Sequence, residues 1–510
     1  MTTSAKRTRR ELLRITVQAT ALVATASLAA CGGGAAAITT SSSQAAPASS
    51  AASAATATTV TSGSSAAASS AANATPASAA TSTSAAASSS AATAGSAATS
   101  ASASATRAAT KVTVLTHWDP ATTLKAFLPY VNEYQQTHPG VTVEVSTVAF
   151  DQLLNKITVA QASGSIYDVY HIYDLWLAEL VKNRAVASAP QDVDGVIRGA
   201  YPSGAVDAVS SQGHLYGFPT EIDTYALNYN RRLFQEAGVA DPPKTWAELT
   251  AAAQKLTKVD GSGAITQEGF GLITGWDAGV LHPWLSLLWS NGGEFVTGDF
   301  KKAQFNSNQG LETLDLYQQS IGQKVTDPKM AKGYTANFIG GKTAMLIMAN
   351  WWQSALQSKM KDSYADVATA PIPTGPSGTK STAVAYAWLF AVDPTSKVQP
   401  DAWQFLQWVN GPAAGGKSSR MGDWLLGQGI LPSRNSDLTA HQTELGTPFL
   451  KPYVDALQTA RPFPIVLAGT EITTDMQKQI EGVVLNNAAP KDALIAAETQ
   501  INALLQKNYG

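Results

Sequence analysis

The chain is 510 residues long and carries 35 Lys and Arg against 37 Asp and Glu, a formal net charge of −2, with a single cysteine. The balanced charge and the lack of a basic block exclude the usual pattern of a nucleic-acid-binding protein, and one cysteine excludes an intramolecular disulfide. Residues 1–110 hold six of the basic residues and one acidic residue, so the remainder has a net charge of about −7. That remainder is longer than one hydrophobic core normally serves, which predicts two domains.

The N-terminus has the pattern of an exported lipoprotein. Residues 6–14 are rich in Lys and Arg, and residues 15–30 are apolar or small and too few to span a bilayer comfortably. Leu28-Ala-Ala-Cys31 resembles the lipobox of bacterial lipoproteins, in which the cysteine is lipidated. We therefore predict a signal peptide over 1–30 and a membrane anchor at Cys31, with export by the twin-arginine (Tat) or the general secretory (Sec) route.

The segment after Cys31 is dominated by Ala, Ser and Thr. Residues 32–110 contain no aromatic residue and a single charged one, Arg107. Such a segment cannot bury enough apolar surface to offset the entropy lost on ordering. We therefore predict a lipidated cysteine and a disordered tether over 31–110.

Strand and helix patterns alternate from residue 111 onward. The β-α-β-α-β order of the first five predicted elements indicates an α/β sheet with helices on its faces. The predicted strands are 111–115, 141–145, 168–172, 225–230 and 385–392; the predicted helices follow Asp119-Pro120 and lie at 151–162, 231–237, 245–257, within 276–323, at 400–409 and within 472–505.

Motifs for catalysis and metal binding are missing from the sequence. There is no Gly-x-Ser-x-Gly and no His-Glu-x-x-His, and no two of the six histidines stand at metal-ligand spacing. Gly341-Lys-Thr343 imitates the end of a P-loop, but Ala336 stands where that motif requires glycine. We predict neither a metal nor a cofactor.

Several tryptophans fall in predicted loops and have acidic or amide neighbours. A tryptophan face can stack on the C–H face of a sugar ring, while carboxylates and amides bind its hydroxyls. Core filling is the alternative for each tryptophan, because this residue is largely buried on average. The candidate side chains are Trp118, Trp276, Trp284, Trp351, Trp352 and Trp388, with Asp119, Asp174, Glu221, Asp223 and Asn350 beside them.

A set of spaced motifs resembles the extracellular solute-binding proteins of family 1, the maltose-binding-protein-like group. The resemblance covers essentially residues 111–510. It is carried by Leu215-Tyr-Gly-Phe-Pro219, Ala226-Leu-Asn-Tyr-Asn230, Pro242-Pro-Lys-Thr-Trp246, Phe338-Ile-Gly-Gly-Lys342, Pro371-Ile-Pro373 and Leu431-Pro-Ser-Arg434.

The resemblance implies a two-lobed, periplasmic-binding-protein-like α/β fold, in which each lobe is a mixed sheet flanked by helices and ligand binds in the cleft between them. Hinge closure on the ligand is the expected motion. The chain would cross between lobes near 219–224, 373–383 and 429–437. The predicted lobes are 111–220 with 380–430, and 221–379 with 431–510.

The resemblance also implies ligand contacts at matching positions. It assigns Trp118 and Asp119 after the first strand, Asp174 after the third, Asp223 at the first crossing, and Trp351 as a stacking residue. Asp119 equally fits a helix cap, and Ala349-Asn350 replace a glycine-containing pair of the family. The predicted ligand-binding set adds Tyr225, Tyr386 and Trp388 to the other candidate side chains above.

We therefore predict a lipid-anchored, monomeric substrate-binding subunit of an ABC importer that delivers a mono- or oligosaccharide to a permease. Two alternatives stay open. One is a surface glycan-active enzyme that uses Asp174, Glu221 or Asp223 as an acid/base pair. The other is a binding protein for a non-sugar solute, such as glycerol phosphate or a polyamine.

Overall fold

The computed structural model of the protein describes residues 109–164 and 166–510. The predicted signal peptide, Cys31 and all but the last two residues of the predicted tether lie outside the described residues. Within the described part, no helix combines the length and apolar character needed to cross a membrane.

The strands predicted near 111, 141, 168, 225 and 385 are confirmed to within a few residues, except that the fourth begins earlier. The strands of the described residues are β1 Thr110–Thr116, β2 Val141–Thr147, β3 Val169–Tyr173, β4 Ser210–Ser211, β5 His214–Leu215, β6 Phe218–Asn230, β7 Lys258–Val259, β8 Ile265–Gln267, β9 Met345–Ala349, β10 Val367–Ala370, β11 Val384–Val392 and β12 Arg461–Pro462. Beyond the predicted strands, β4 pairs with β5, β7 pairs with β8, and β12 pairs with β11 of the main sheet.

Eight of these described strands form one mixed sheet, in the order β2-β1-β3-β11-β6-β10, with β12 paired to β11 and β9 paired to β6. β1 lies parallel to both β2 and β3, whereas β11 is antiparallel to β3 and β6. Parallel neighbours require crossover connections, which α1 Thr123–Thr137 and α2 Phe150–Ser163 supply.

β6 joins the two parts of this sheet. Residues 218–224 pair with β11, and residues 225–230 pair with β9 and β10. The crossing predicted at 219–224 is therefore the first half of a continuous strand. Part of the crossing predicted at 429–437 runs beside it, since the Ile222 amide donates to the Leu431 carbonyl over 3.2 Å. The predicted lobe boundary at 220/221 falls inside this strand and remains a prediction.

The predicted helices are confirmed, and the middle region 276–323 consists of two helices joined by residues 291–307. Thr245 accepts a hydrogen bond from the Glu248 amide over 3.2 Å, as its capping role requires. The remaining helices are α3 Leu177–Lys182, α4 Gln191–Ala200, α5 Ser203–Ala208, α6 Arg231–Glu236, α7 Trp246–Leu256, α8 Asp277–Ser290, α9 Asn308–Gly322, α10 Tyr334–Ile339, α11 Gln353–Met360, α12 Gln399–Val409, α13 Arg420–Gly427, α14 Asn435–Ala440, α15 Gln442–Leu445, α16 Lys451–Ala456, α17 Gly469–Asn486 and α18 Pro490–Tyr509, with short 3-10 turns at Asp174–Trp176, Ala331–Gly333, Asn350–Trp352 and Lys361–Asp366.

Candidate functional site

A cavity of about 450 Å³ lies where the carboxyl ends of β1 and β3 meet β6 and β11. In open α/β sheets, ligands bind outside the carboxyl ends of the parallel strands, and this cavity is in that position. Its lining consists of His117, Trp118, Asp119, Thr123, Phe150, Tyr173, Glu221, Asp223, Trp276, Ala278, Tyr334, Trp351, Ser354, Tyr386, Trp388, Gln428 and Ile430.

Eight of the thirteen predicted ligand-binding side chains line this one cavity. They come from five separate stretches of the chain, which the fold brings together: Trp118, Asp119, Glu221, Asp223, Trp276, Trp351, Tyr386 and Trp388. Asp119 was predicted either to contact ligand or to cap a helix, and its position is compatible with both. It lies at the cavity, and it accepts hydrogen bonds from the amides of Ala121 and Thr122 over 2.9 Å each.

Aromatic rings form two groups around the cavity. Trp388 stacks on His117 with 4.0 Å between ring centroids and on Tyr173 with 5.6 Å. Trp276 meets Trp351 edge to face, with 6.2 Å between centroids. Trp276 and Trp351 are partly exposed, so their rings can offer flat apolar faces to a ligand.

A bulge in β11 accompanies the placement of Trp388. The pairing of β11 with β6 shifts register between Ala387 and Leu389, and the Ala387 amide instead donates to Asp174 Oδ2 over 2.8 Å. A bulge re-aims a side chain and leaves a backbone group without its ladder partner. Asp174 therefore supports the strand that presents Trp388, and it is not among the cavity-lining residues.

Two buried carboxyl groups stand at the cavity on one strand. Glu221 and Asp223 are 3% and 2% exposed, and their spacing of two residues along β6 puts both side chains on the same face. Asn350 Nδ2 donates to Asp223 Oδ1 over 2.8 Å, while Asn350 Oδ1 accepts from the Thr224 amide over 3.0 Å. The Asn350 side chain thus orients Asp223 and lies outside the cavity lining.

A chain of hydrogen bonds links Glu221 to Thr220, His171 and Thr116. Thr220 Oγ1 donates to Glu221 Oε2 over 2.5 Å and lies 3.1 Å from His171 Nε2. Since the Thr220 proton is committed to Glu221, His171 carries its proton on Nε2, and its Nδ1 accepts from Thr116 Oγ1 over 3.4 Å. His171 Nε2 is 3.5 Å from Glu221 Oε2, but this contact is not an ion pair, because burial lowers the pKa of His171 to about 3.

Burial shifts the pKa values of the buried carboxyls and histidines of this region so that their neutral forms are favoured. It raises the pKa of Glu221 to about 7 and that of Asp174 to about 8. The pKa of Asp223 is raised well above its usual range by burial and by the charge of Glu221. Burial, together with the nearby His171, holds the pKa of His117 well below its usual value.

These shifts predict a stability that falls as the pH rises through neutrality. The buried carboxyls hold more protons in the folded than in the unfolded chain above their ordinary pKa, so ionising them disfavours folding as pH rises through their raised pKa. Buried His171 and His282, both with a pKa lowered to about 3, act in the opposite sense only up to about pH 6.5. We expect the melting temperature of the ligand-free protein to fall between pH 6.5 and about 8.

Differential scanning calorimetry at a series of pH values measures this decline. Glu221→Gln is expected to make the decline shallower, because Asp174 and Asp223 still contribute to it. Glu471→Gln, at an exposed position on α17, is expected to leave it unchanged. A melting temperature that rises over this range in the unsubstituted protein would contradict the assignment.

Three predicted ligand contacts are core residues instead. Trp284 belongs to α8, which is almost wholly buried, and packs against Phe305. Trp352 donates from Nε1 to Asn228 Oδ1 over 3.1 Å. Tyr225 is buried against His282, with 5.4 Å between ring centroids. None of the three lines the cavity, because each side chain points to the packed side of its element.

The structure adds cavity residues that sequence reasoning missed. His117 and Tyr173 directly adjoin Trp118 and Asp174, so the ends of the same two strands could have indicated them. Phe150 opens the helix after β2, and Gln428 precedes a predicted crossing. Tyr334 gave no signal in the sequence.

No metal site is evident among the described residues, since no three His, Cys, Asp or Glu side chains are grouped to hold an ion. The cavity's arrangement of aromatic faces, hydroxyls and carboxyls is suited to noncovalent binding of a small polar molecule.

Comparison with known proteins supports this interpretation. Residues 118–416 match the bacterial extracellular solute-binding protein family. A binding protein of Brucella abortus (strain 2308) is 25% identical over 393 residues, covering 74% of this chain and 90% of the relative. The arabinooligosaccharide-binding protein of Bacillus subtilis (strain 168) is 25% identical over 303 residues, covering 57% and 67%.

Solved structures confirm the predicted two-lobed, maltose-binding-protein-like fold. The GacH receptor of Streptomyces glaucescens, described unliganded and with acarbose, superposes with a TM-score of 0.68 at 20% identity, covering 79% of this chain and all of the receptor. Maltose-bound MalE3 of T. maritima gives a TM-score of 0.68 at 20% identity, covering 78% of this chain and all of that one. The chain therefore belongs to the bacterial extracellular solute-binding proteins, a family that acts outside the cytoplasm.

Proposed function

We propose that this protein is the substrate-binding subunit of an ABC importer and captures a mono- or oligosaccharide for delivery to a membrane permease. The observation that carries the proposal is the convergence of aromatic faces and buried carboxyls in one cavity beside β6. The protein performs no bond chemistry: stacking and hydrogen bonds to hydroxyls hold the solute. The named ligands of relatives, among them arabinooligosaccharide and mannitol, support a carbohydrate.

The cavity offers specific polar groups to a sugar. The polar side chains in its lining include Asp119, Thr123, Glu221, Asp223, Ser354 and Gln428. Their carboxyl, hydroxyl and amide groups can hydrogen-bond the hydroxyls of a sugar. Trp276, Trp351 and Trp388 supply stacking faces for the rings.

Release to a permease requires that the ligand favour one arrangement of the lobes. Residues 218–230 form one strand with partners on both sides of the predicted lobe boundary, and residues 431–432 run beside it. A few residues in such paired segments can absorb the change in dihedral angles that hinge closure needs. A ligand that binds the closed form more tightly drives closure by its differential affinity.

The alternatives receive less support from the same cavity. Glycosidases place two carboxyls on either side of the bond that breaks, whereas Glu221 and Asp223 project from one face of one strand. An anionic solute such as glycerol phosphate would call for a cation, and no Lys or Arg is among the cavity-lining residues of the described structure.

A calorimetric and thermal-shift screen against maltose, maltotriose, mannobiose, mannitol and arabinooligosaccharides tests the function. A ligand that binds only the folded state raises the melting temperature, by an amount that grows with its concentration. We expect at least one carbohydrate to do so and to be recovered chemically intact. Cleavage of an oligosaccharide during incubation would favour the enzyme alternative, and a response confined to non-sugars would refute the carbohydrate assignment.

We also propose that Cys31 is lipidated and tethers the domain to the membrane near its permease, with the binding domain acting as a monomer. A flexible tether of about the predicted length would have a root-mean-square reach of roughly 50 Å, which would leave the domain free to turn and dock. Cys31→Ser is expected to release the protein into the medium or leave its precursor unprocessed. Unchanged retention in the membrane fraction, with incorporation of labelled fatty acid, would overturn the anchor.

A further inference from the structure

We propose that the solute bears a positively charged amine, so that the ligand class is a cationic carbohydrate such as an amino sugar or an amine-bearing oligosaccharide. This inference rests on the proposed function, because it specifies which carbohydrates the same cavity takes.

The first support is the charge of the cavity lining. Its acidic members are Asp119, Glu221 and Asp223, and its basic lining side chain in the described structure is His117 alone. His117 is held neutral, since burial and the neighbouring His171 keep its pKa well below the usual range. A cavity with three carboxyls and no resident cation favours a ligand that brings positive charge.

The second support is the absence of a countercharge behind the buried pair. Glu221 is held by Thr220, and Asp223 by Asn350 and Tyr386, all of which are uncharged hydrogen-bonding partners. Two buried carboxyls without a cation resist ionising together. The other titratable groups facing them from the surrounding elements are acidic or neutral: Tyr225 on β6, His171, Tyr173 and Asp174 at β3, Tyr386 on β11, and Asp277 and His282 on α8.

The third support is the aromatic lining. Cations are attracted to the faces of Trp and Tyr rings, and the cavity presents Trp276, Trp351, Trp388, Tyr334 and Tyr386. A neutral sugar would only stack on these faces. An aminated sugar would stack on them and also have its positive charge stabilised by them, in addition to its pairing with the carboxyls.

Binding of an amine has a consequence that binding of a neutral sugar lacks. An ammonium group that donates to Asp223 and Glu221 favours their ionised forms, so the complex releases protons held by the pair in the empty cavity. The affinity for the amine is therefore expected to rise with pH until the sugar amine begins to lose its own proton.

The test compares three disaccharides that differ only at the 2-position: the glucosamine disaccharide, its N-acetylated form, and the glucose disaccharide of the same linkage. Isothermal titration at about pH 7, in two buffers of different ionisation enthalpy, measures affinity and proton release. We expect the free amine to bind at least tenfold more tightly than both neutral forms, with protons released to the buffer. Asp223→Asn is expected to reduce that preference to about twofold or less, and Glu221→Gln, checked for an intact melting transition, provides a second variant.

The outcomes separate this inference from the function on which it rests. Equal or tighter binding of the neutral disaccharides overturns the amine requirement and leaves the carbohydrate function in place. Spermidine is included as an amine without a sugar ring. Tight binding of spermidine with no response to any carbohydrate overturns the carbohydrate function but supports the need for positive charge. No binding of any amine at millimolar concentration overturns the inference.

Discussion

Trp351→Ala is expected to weaken solute binding at least tenfold, equivalent to about 1.4 kcal/mol of binding free energy. Trp351 lines the cavity and packs edge to face on Trp276, and its side chain is partly exposed. Removing the indole deletes one stacking face and one wall of the aromatic pair. Because the side chain is only partly buried, the loss falls mainly on binding and much less on folding.

Isothermal titration with whichever carbohydrate the ligand screen identifies measures this effect, and calorimetry of the free protein measures the change in melting temperature. Trp351→Phe is the conservative comparison, because it keeps an aromatic face and should retain part of the affinity. Unaltered affinity in Trp351→Ala would remove this residue from the site, whatever its position at the cavity.

The fold was largely readable from the sequence because local signals and periodicity agreed. Alternation at 141–145, the capping residue Thr245 and the apolar spacing of α1 each predicted an element that the structure contains. The full extent of β6 was not readable, because its first half begins with a proline motif typical of a turn. Pairing with β11 along residues 218–224 makes that half a strand, and this is a long-range contact.

The cavity lining was predicted in part, and the predicted residues that lie elsewhere do so for one physical reason. Sequence position could place Trp351 and Trp352 in a short segment after β9, but consecutive residues of a 3-10 turn point in different directions. Only tertiary packing decides which indole reaches the cavity. Tertiary packing also decides the roles of Asp174 and Asn350. Asp174 accepts a hydrogen bond from the Ala387 amide, and Asn350 donates one to Asp223. Both are positioning residues, one step behind the cavity surface.

Trp352→Ala is expected to have the reverse effect of the neighbouring substitution: a large loss of stability with little change in the affinity of the folded protein. Trp352 is 1% exposed and packs on Phe338 with 5.0 Å between ring centroids. Its Nε1 donates to Asn228 Oδ1, which also accepts from the Tyr453 hydroxyl over 3.0 Å. Truncating a buried tryptophan to alanine costs about 3–5 kcal/mol of unfolding free energy.

That cost is a large part of the total stability of a typical domain, so Trp352→Phe provides a milder variant in which the ring is kept and the hydrogen bond to Asn228 is lost. Urea denaturation of both variants, followed by tryptophan fluorescence and circular dichroism, measures the loss, and titration of the folded protein at low temperature measures affinity. The two adjacent tryptophans thus form a matched pair, in which affinity falls for one and stability for the other. A Trp352→Ala protein of nearly unchanged stability but tenfold weaker binding would show that the assignment of core and cavity to this pair is reversed.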